Sequence, residues 1–209
     1  DKDNPFLNYR LDVTFTNGEE QFIVPGFYAA DGNAAETSSN KGNVWQVRFT
    51  PNKVGKWTYT TSFKKGENIA VVDDLSKALS AGFMDGQTGA FQISTTDKTG
   101  IDNRAKGKLQ YVGESYLKFA ETQKYFIKLG VDAPENLLAY TDFDVSTNAL
   151  GFQKKWQPHA KDFNESAAPF VWQKNKGKNL LGAINYLANE GLNVFSFLTF
   201  NIDGDDRNI

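Results

Sequence analysis

The sequence predicts two parts of different class: an all-β sandwich, followed by the opening βαβ unit of a parallel α/β sheet. Three observations carry that division. From Asn8 to about Thr96, short runs of alternating polar and apolar residues are divided by turn residues, with no convincing helix. Residues 124–130 and 194–200 read as buried strands, the second filled with Phe and Val almost without alternation. Between them Leu180, Leu181, Ile184, Leu187 and Ala188 form one apolar stripe of helical period. The expected division is 1–96 for the sandwich and 97–209 for a hairpin and the incomplete α/β part.

In the first part, residues 9–15 alternate with period two and Asn17-Gly18 supplies the turn. Residues 21–24 form the next strand, ended by Pro25-Gly26, and residues 27–30 run into Asp31-Gly32-Asn33. The stretch 31–42, rich in Asn, Ser, Ala and Gly, reads as a loop. Residues 44–50 are the cleanest alternating run in the chain, joined through Pro51-Asn52-Lys53-Val54-Gly55 to a strand at 56–63. Residues 64–88 are ambiguous, with one helical turn expected near 73–79, and a strand at 89–94 closes the set. Strands at this spacing predict a β-sandwich of immunoglobulin-like type. Trp45 and Trp57 fit either a sugar-stacking pair or the core. Their place in alternating strands, where one face must be buried, favours the core.

In the second part, residues 107–112 and 116–119 form a hairpin about Gly113 and Ser115, and Glu121-Thr122-Gln123 turns into the strand at 124–130. About 46 residues then separate that strand from the next helix, where a βα loop ordinarily has ~2–6. Such an excursion is usually functional. It contains a helix expected from Asp144 or Ser146 toward Trp156, the single histidine His159, and Ala168-Pro169-Phe170-Val171-Trp172. Gly191 is placed to end the following helix in the left-handed conformation. A right-handed crossover makes the two strands neighbours or near neighbours. Their C-terminal ends then gather Asp132, Glu135 and Asn136 with Asn201, Asp203 and Asp205.

Composition excludes several classes. A net charge of −2 on 209 residues gives no electrostatic case for nucleic acid or an anionic membrane. The densest basic stretch, Lys174 to Lys178, is broken by Asn and Gly and reads as a solvated helix entry. With no cysteine and one histidine there is no basis for a disulfide, a thiolate nucleophile or a zinc site. Asp203, Asp205 and Asp206 hint at a calcium loop but lack the remaining ligand spacing and the distal Glu, so no metal is expected. His159 reads as a loop or subsite residue in preference to a general base. No stretch approaches the ~18 apolar residues of a membrane span. The isolated glycines Gly32, Gly42 and Gly55 make no phosphate loop.

The run VPGFYAADGN, then NVWQVRFTPNKVGKWTYTTSF, GAFQI and a Gly-Lys-Leu strand resembles the β-sandwich module that precedes a catalytic barrel in a group of bacterial glycoside hydrolases, a module of the DUF5060 type. The stretches AINYLANEGLNVFSFLTFN and GDDRN resemble the same family. The resemblance implies that the hairpin is a lid on the barrel bottom and that residues 124–209 begin a (β/α)₈ TIM barrel. It places the catalytic carboxylates at the ends of barrel strands four and seven, so no catalytic residue is expected in this chain. Asp132, Glu135, Asn136, Asn201, Asp203 and Asp205 become substrate-binding candidates that hydrogen-bond sugar hydroxyls. Each also fits a loop cap or a solvated side chain.

The expected function is therefore the N-terminal part of a secreted, periplasmic or cell-surface glycoside hydrolase, working on a poly- or oligosaccharide by carboxylate acid/base catalysis without a cofactor. Two parallel strands cannot cover their own faces. The partners expected are thus a carbohydrate substrate and the remainder of the same barrel, as a second piece or a further segment. The fragment alone is expected to be inactive. The alternatives are a non-catalytic carbohydrate- or matrix-binding surface module and a purely structural domain. Exposure of Trp45, Trp57 and Tyr59 discriminates, because a binding sandwich needs a flat aromatic platform at its surface.

Overall fold

The computed structural model describes residues 3–82, 84–100, 102–132, 137–144 and 153–198. The chain divides into two compact units, Asp1–Ala34 with Ser39–Phe126, and Ala35–Ser38 with Ile127–Ile209.

The first unit is β-rich. A single turn, α1 (Pro5–Asn8), starts where Asn4 accepts a hydrogen bond from the Phe6 N–H at 2.9 Å, with Pro5 at the first helical position. Then follow β1 (Tyr9–Asn17), β2 (Glu20–Pro25), β3 (Phe27–Tyr28), the short α2 (Ala34–Thr37), β4 (Trp45–Gln46), β5 (Gly55–Lys65), β6 (Leu79–Ser80) and β7 (Thr88–Ile93). One antiparallel sheet runs β2-β1-β5, with β6 and β7 both pairing β5, while β3 and β4 make a separate ladder. Gly18, at φ 60°, makes the turn between β1 and β2.

Alternation aims one face of this sheet inward. Leu11, Val13 and Phe15 of β1 and Trp57 and Phe63 of β5 form the buried cluster, and Trp45, Val47 and Phe49 pack against it. Residues 44–50, expected as the cleanest strand, contribute only two residues to a ladder. Their alternation reports packing of every second side chain onto the core, which needs no paired neighbour. Thr61 is the one buried polar side chain of the described core. Its hydroxyl is held by the Gln87 N–H at 3.0 Å and donates to the Met84 carbonyl. Residues 73–78 form turns and bends and no helix, and Leu79 begins β6; Asp74 satisfies the Ser76 N–H at 2.8 Å.

The expected hairpin is present as β8 (Leu109–Gln110) and β9 (Lys118–Phe119). Its arms are shorter and its loop longer than the Gly113–Ser115 turn implies. The segment expected to be the first parallel strand departs from expectation. Tyr125 bridges back antiparallel to Lys118, and the Phe126 N–H reaches the Leu117 carbonyl at 2.7 Å. Residues 124–126 thus extend the hairpin, because β9 offers them backbone partners first.

In the second unit the parallel strand is β10 (Gly130–Asp132). The helix α3 (Lys178–Asn189) follows, then β11 (Val194–Ser196), with Gly130, Val131 and Asp132 opposite Val194, Phe195 and Ser196 in parallel register. A helix between two paired parallel strands is thus present as expected, with the first strand at 130–132 instead of 124–130 and the second at 194–196 instead of 194–200. At the end of α3, Gly191 has φ 86°, its N–H reaches the Ala188 carbonyl, and the Leu192 N–H reaches the Leu187 carbonyl at 3.0 Å. That pair of bonds is a Schellman termination. Burial on both faces is not what the expected strands show: Val131 of β10 is 38% exposed, and just past the end of β11 Phe197 is 40% and Leu198 48% exposed. No third strand pairs with β10 or β11 among the described residues.

Candidate functional site

The polar end of the parallel pair is built from its register. Asp132 closes β10 opposite Ser196 of β11, and the Ser196 hydroxyl donates to the Asp132 carboxylate. Asn193 fixes the entry to β10 from both sides. Its side-chain oxygen accepts the Leu129 N–H at 2.9 Å, and its amide nitrogen donates to the Ile127 carbonyl at 2.8 Å. Asp132 is exposed, with one carboxylate oxygen held by Ser196. Glu135, Asn136, Asn201, Asp203 and Asp205 lie outside the described residues. Of the expected set, the structure brings Asp132 into a defined contact, and the partner is a residue that sequence reasoning passed over. Ser196 carried a signal, being the polar interruption in the run Val194 to Leu198.

The long excursion is an aromatic core of its own. Tyr140 is 1% exposed, and its hydroxyl donates to Asp142 at 2.6 Å. The same Asp142 oxygen accepts the Gly177 N–H at 2.8 Å, just ahead of α3. Burial holds the Tyr140 hydroxyl well above the ordinary tyrosine range, and the Asp142 hydrogen bond acts in the same direction. Trp156 stacks on Tyr140 at 5.5 Å, and Phe143 stacks on Trp172 at 5.5 Å. These rings cover one another, so they form packing and no open stacking surface. Trp156, Gln173 and Lys174 all have positive φ, and Gly177 has φ 91° with its α-carbon against the Trp172 ring. Lys174 to Lys178 is thus a wound turn that delivers the chain into α3.

His159 occupies the 3₁₀ segment Gln157–Asp162. Its Nδ1 lies 3.0 Å from an Asp162 carboxylate oxygen, and its ring lies 5.0 Å from that of Tyr186. Its carbonyl packs onto Gly182 of α3, while Asn179 and Asn185 donate to the Lys155 and Asp162 carbonyls at 2.9 and 3.2 Å. These contacts make it a residue of the seam between excursion and helix, which is a loop role.

The aromatic residues of the sandwich resolve the choice posed by the sequence. Trp57 is 0% exposed and its indole N–H donates to the Lys53 carbonyl at 3.1 Å. Trp45 is half-buried against Phe63 at 5.1 Å, and Tyr59 is half-buried beside Phe15. The three make no exposed platform. Among the described residues, no group of three His, Asp or Glu could hold a metal ion, and no helix is long and apolar enough to cross a membrane.

A family model described as a domain of unknown function (DUF5060) matches residues 1–64, which run from α1 to the last residues of β5. A solved structure described as a "putative glycoside hydrolase" from Bacteroides vulgatus aligns with 23% identity and a TM-score of 0.45, covering 79% of this chain and 23% of that one. That likeness is too slight to carry an argument. The chain spans under a quarter of the length of that structure. No curated protein matches the chain.

Proposed function

We propose that this chain is the N-terminal part of a secreted, periplasmic or cell-surface glycoside hydrolase. The enzyme cleaves a poly- or oligosaccharide by carboxylate acid/base chemistry without a cofactor, and its catalytic pair lies outside this chain. The observation that supports the reading best is the parallel unit β10–α3–β11 with Asp132 and Ser196 at its carboxyl end. It follows a sandwich whose first strands match the DUF5060 model, in the order expected of the glycosidase family that the motifs resemble. Active sites of (β/α)₈ enzymes lie at the carboxyl ends of the strands.

In this reading Asp132 is a subsite residue. Its carboxylate accepts from sugar hydroxyls, and the Ser196 hydroxyl holds it in one orientation so that less rotamer freedom is lost on binding. Glu135, Asn136, Asn201, Asp203 and Asp205 belong to the same subsite proposal. The catalytic acid and its partner carboxylate come from the remainder of the barrel. The buried indole of Trp57 supports a spacer or supporting role for the sandwich core over a surface aromatic platform.

The test is a reducing-sugar screen of the intact folded protein against plant and algal glycans. Hydrolysis of one glycan, reduced about tenfold or more by Asp132→Ala through KM, is the expected result. Folded protein that hydrolyses none of them would overturn the reading.

A further inference from the structure

The first unit holds a cleft of about 350 Å³ that the hydrolase reading does not use. That volume is at the lower end of the ~300–1,000 Å³ range of small-molecule sites. Phe6, Phe27, Tyr28 and Trp45 line it together with Arg10 and Asp12. Phe6 is 69% exposed and Phe27 40%, so both rings are open to solvent. Phe6 meets Tyr28 edge-on at 5.6 Å, so the two rings present surfaces at a right angle. The motif Pro25-Gly26-Phe27-Tyr28 forms part of the lining, and a Cβ on Gly26 would come within 2.5 Å of Leu11.

The polar part of the cleft is a held ion pair. The Arg10 Nε donates to Asp12 at 2.7 Å and its Nη1 donates to the Val72 carbonyl at 3.1 Å. Both side chains remain reachable, at 33% and 15% exposure. The Tyr28 hydroxyl is spent on the Gly42 carbonyl at 2.8 Å, and that of Tyr9 on Asp3 at 2.8 Å. These two tyrosines therefore contribute ring faces and edges, while hydrogen bonding falls to the guanidinium and the carboxylate.

We propose that this cleft binds one pyranose unit of a neutral glycan. Aromatic rings pack against the apolar C–H face of a sugar, and adjacent Arg and Asp side chains donate to and accept from neighbouring hydroxyls. A wholly apolar ligand would take the remaining Arg10 donors and Asp12 acceptors away from water with no hydrogen bond in exchange, which is costly. An anionic ligand would meet the Asp12 carboxylate, and the pair has no net charge to attract it. A polyhydroxylated neutral ring satisfies both halves of the lining. The site is independent of hydrolysis: binding here with no glycan cleaved leaves this inference intact and overturns only the other.

The experiment is a titration of the full ¹⁵N-labelled chain followed by amide shifts. The probes are methyl β-D-glucopyranoside, β-D-galactopyranoside, β-D-xylopyranoside and α-D-mannopyranoside, with methyl β-D-glucuronide as the anionic comparison. At least one neutral glycoside should shift the Gly26, Phe27 and Tyr28 amides saturably, with the glucuronide weaker. Phe6→Ala and Phe27→Ala, both at exposed positions, should each weaken binding about threefold to tenfold in a chain whose other amides are unmoved. No saturable shift with any neutral glycoside would overturn the proposal. So would a glucuronide that binds as tightly as the neutral sugars, or shifts that both alanine variants retain at full affinity.

Discussion

Leu11, Val13, Phe15, Trp57 and Phe63 of the first unit are between 0 and 7% exposed, whereas Ile127, Leu129, Phe197 and Leu198 of the second are between 40 and 60% exposed. The two regions are similarly rich in apolar side chains. They differ in what stands opposite. In the first unit the inward side chains of an antiparallel sheet are covered by Trp45, Val47 and Phe49, from a segment that is not a full strand. In the second, two three-residue parallel strands pair with each other and with no further strand among the described residues. Parallel sheets depend on cover over both faces, which a single βαβ unit cannot provide. Apolar content therefore reports the environment a segment is suited to, and burial reports whether that environment is present.

The difference is most sharply broken at Trp57. Replacing its fully buried indole by alanine leaves a large cavity in the first unit and strands the Lys53 carbonyl. The expected loss is about 3–5 kcal/mol, a large share of the ~5–15 kcal/mol that holds an ordinary domain folded. Urea unfolding followed by near-UV circular dichroism measures it. A loss under about 1 kcal/mol would remove Trp57 from the core and reopen the sugar-stacking reading.

Gly182→Ala tests how tightly the seam between the excursion and α3 is built in the second unit. In an exposed helix interior this change gains up to about 1 kcal/mol of helix propensity. Here the new Cβ would run into the His159 carbonyl, with the Phe163 nitrogen 3.1 Å away, and neither is a flexible side-chain end. Overpacking of that kind costs about 1–3 kcal/mol, so the net effect should be destabilising. Faster hydrogen exchange in residues 157–163 with α3 still helical is the expected signature. A stabilised variant would show that the seam between excursion and helix gives way easily.

The legible parts of the sequence were those decided locally. Period-two alternation located β1, β2, β5 and β7, and the apolar stripe with Gly191 located α3 and its termination. What sequence could not supply was partner choice. Residues 44–50 alternate because their side chains meet a core, and residues 124–126 pair with β9 because it is the nearer backbone edge. The aromatic stack of Tyr140, Trp156, Phe143 and Trp172 depends on turns with positive φ at bulky residues, which no local pattern announces. At the candidate site, topology was enough to put Asp132 at a strand end. Ser196 became visible only through register, which sets the two residues opposite each other.

The exposed apolar residues of the second unit make the converse prediction to Trp57. Ile127→Lys and Leu198→Lys replace side chains that are 60% and 48% exposed. Neither should change folding stability by more than about 0.5 kcal/mol, because little packing is lost. Both should lower self-association of the isolated chain in sedimentation velocity, since a charge interrupts an apolar surface. A loss of several kcal/mol in either variant would mean that these residues are packed and that the contrast between the units is false.

The smallest effect concerns an exposed contact in the first unit, between β7 and β8, and it separates local fixing from core burial. Asp102 accepts the Arg104 N–H at 2.9 Å while its carboxylate takes the guanidinium at 2.6 and 3.0 Å. The side-chain contact, with the backbone N–H second, lowers its pKa to about 2, against about 3.9 for a free aspartate. Because the folded value is the lower one, the contact's contribution is present above pH ~4 and is lost as pH falls through about 2. Carboxyl-carbon NMR should put the midpoint near 2 in the native chain and raise it toward 3.9 in Arg104→Ala. The urea midpoint at neutral pH should stay almost unchanged, as expected for a solvent-screened pair. A titration midpoint indifferent to Arg104 would show that the guanidinium does not hold Asp102. A large fall in stability would show instead that this segment shares in the packing that keeps Trp57 from water.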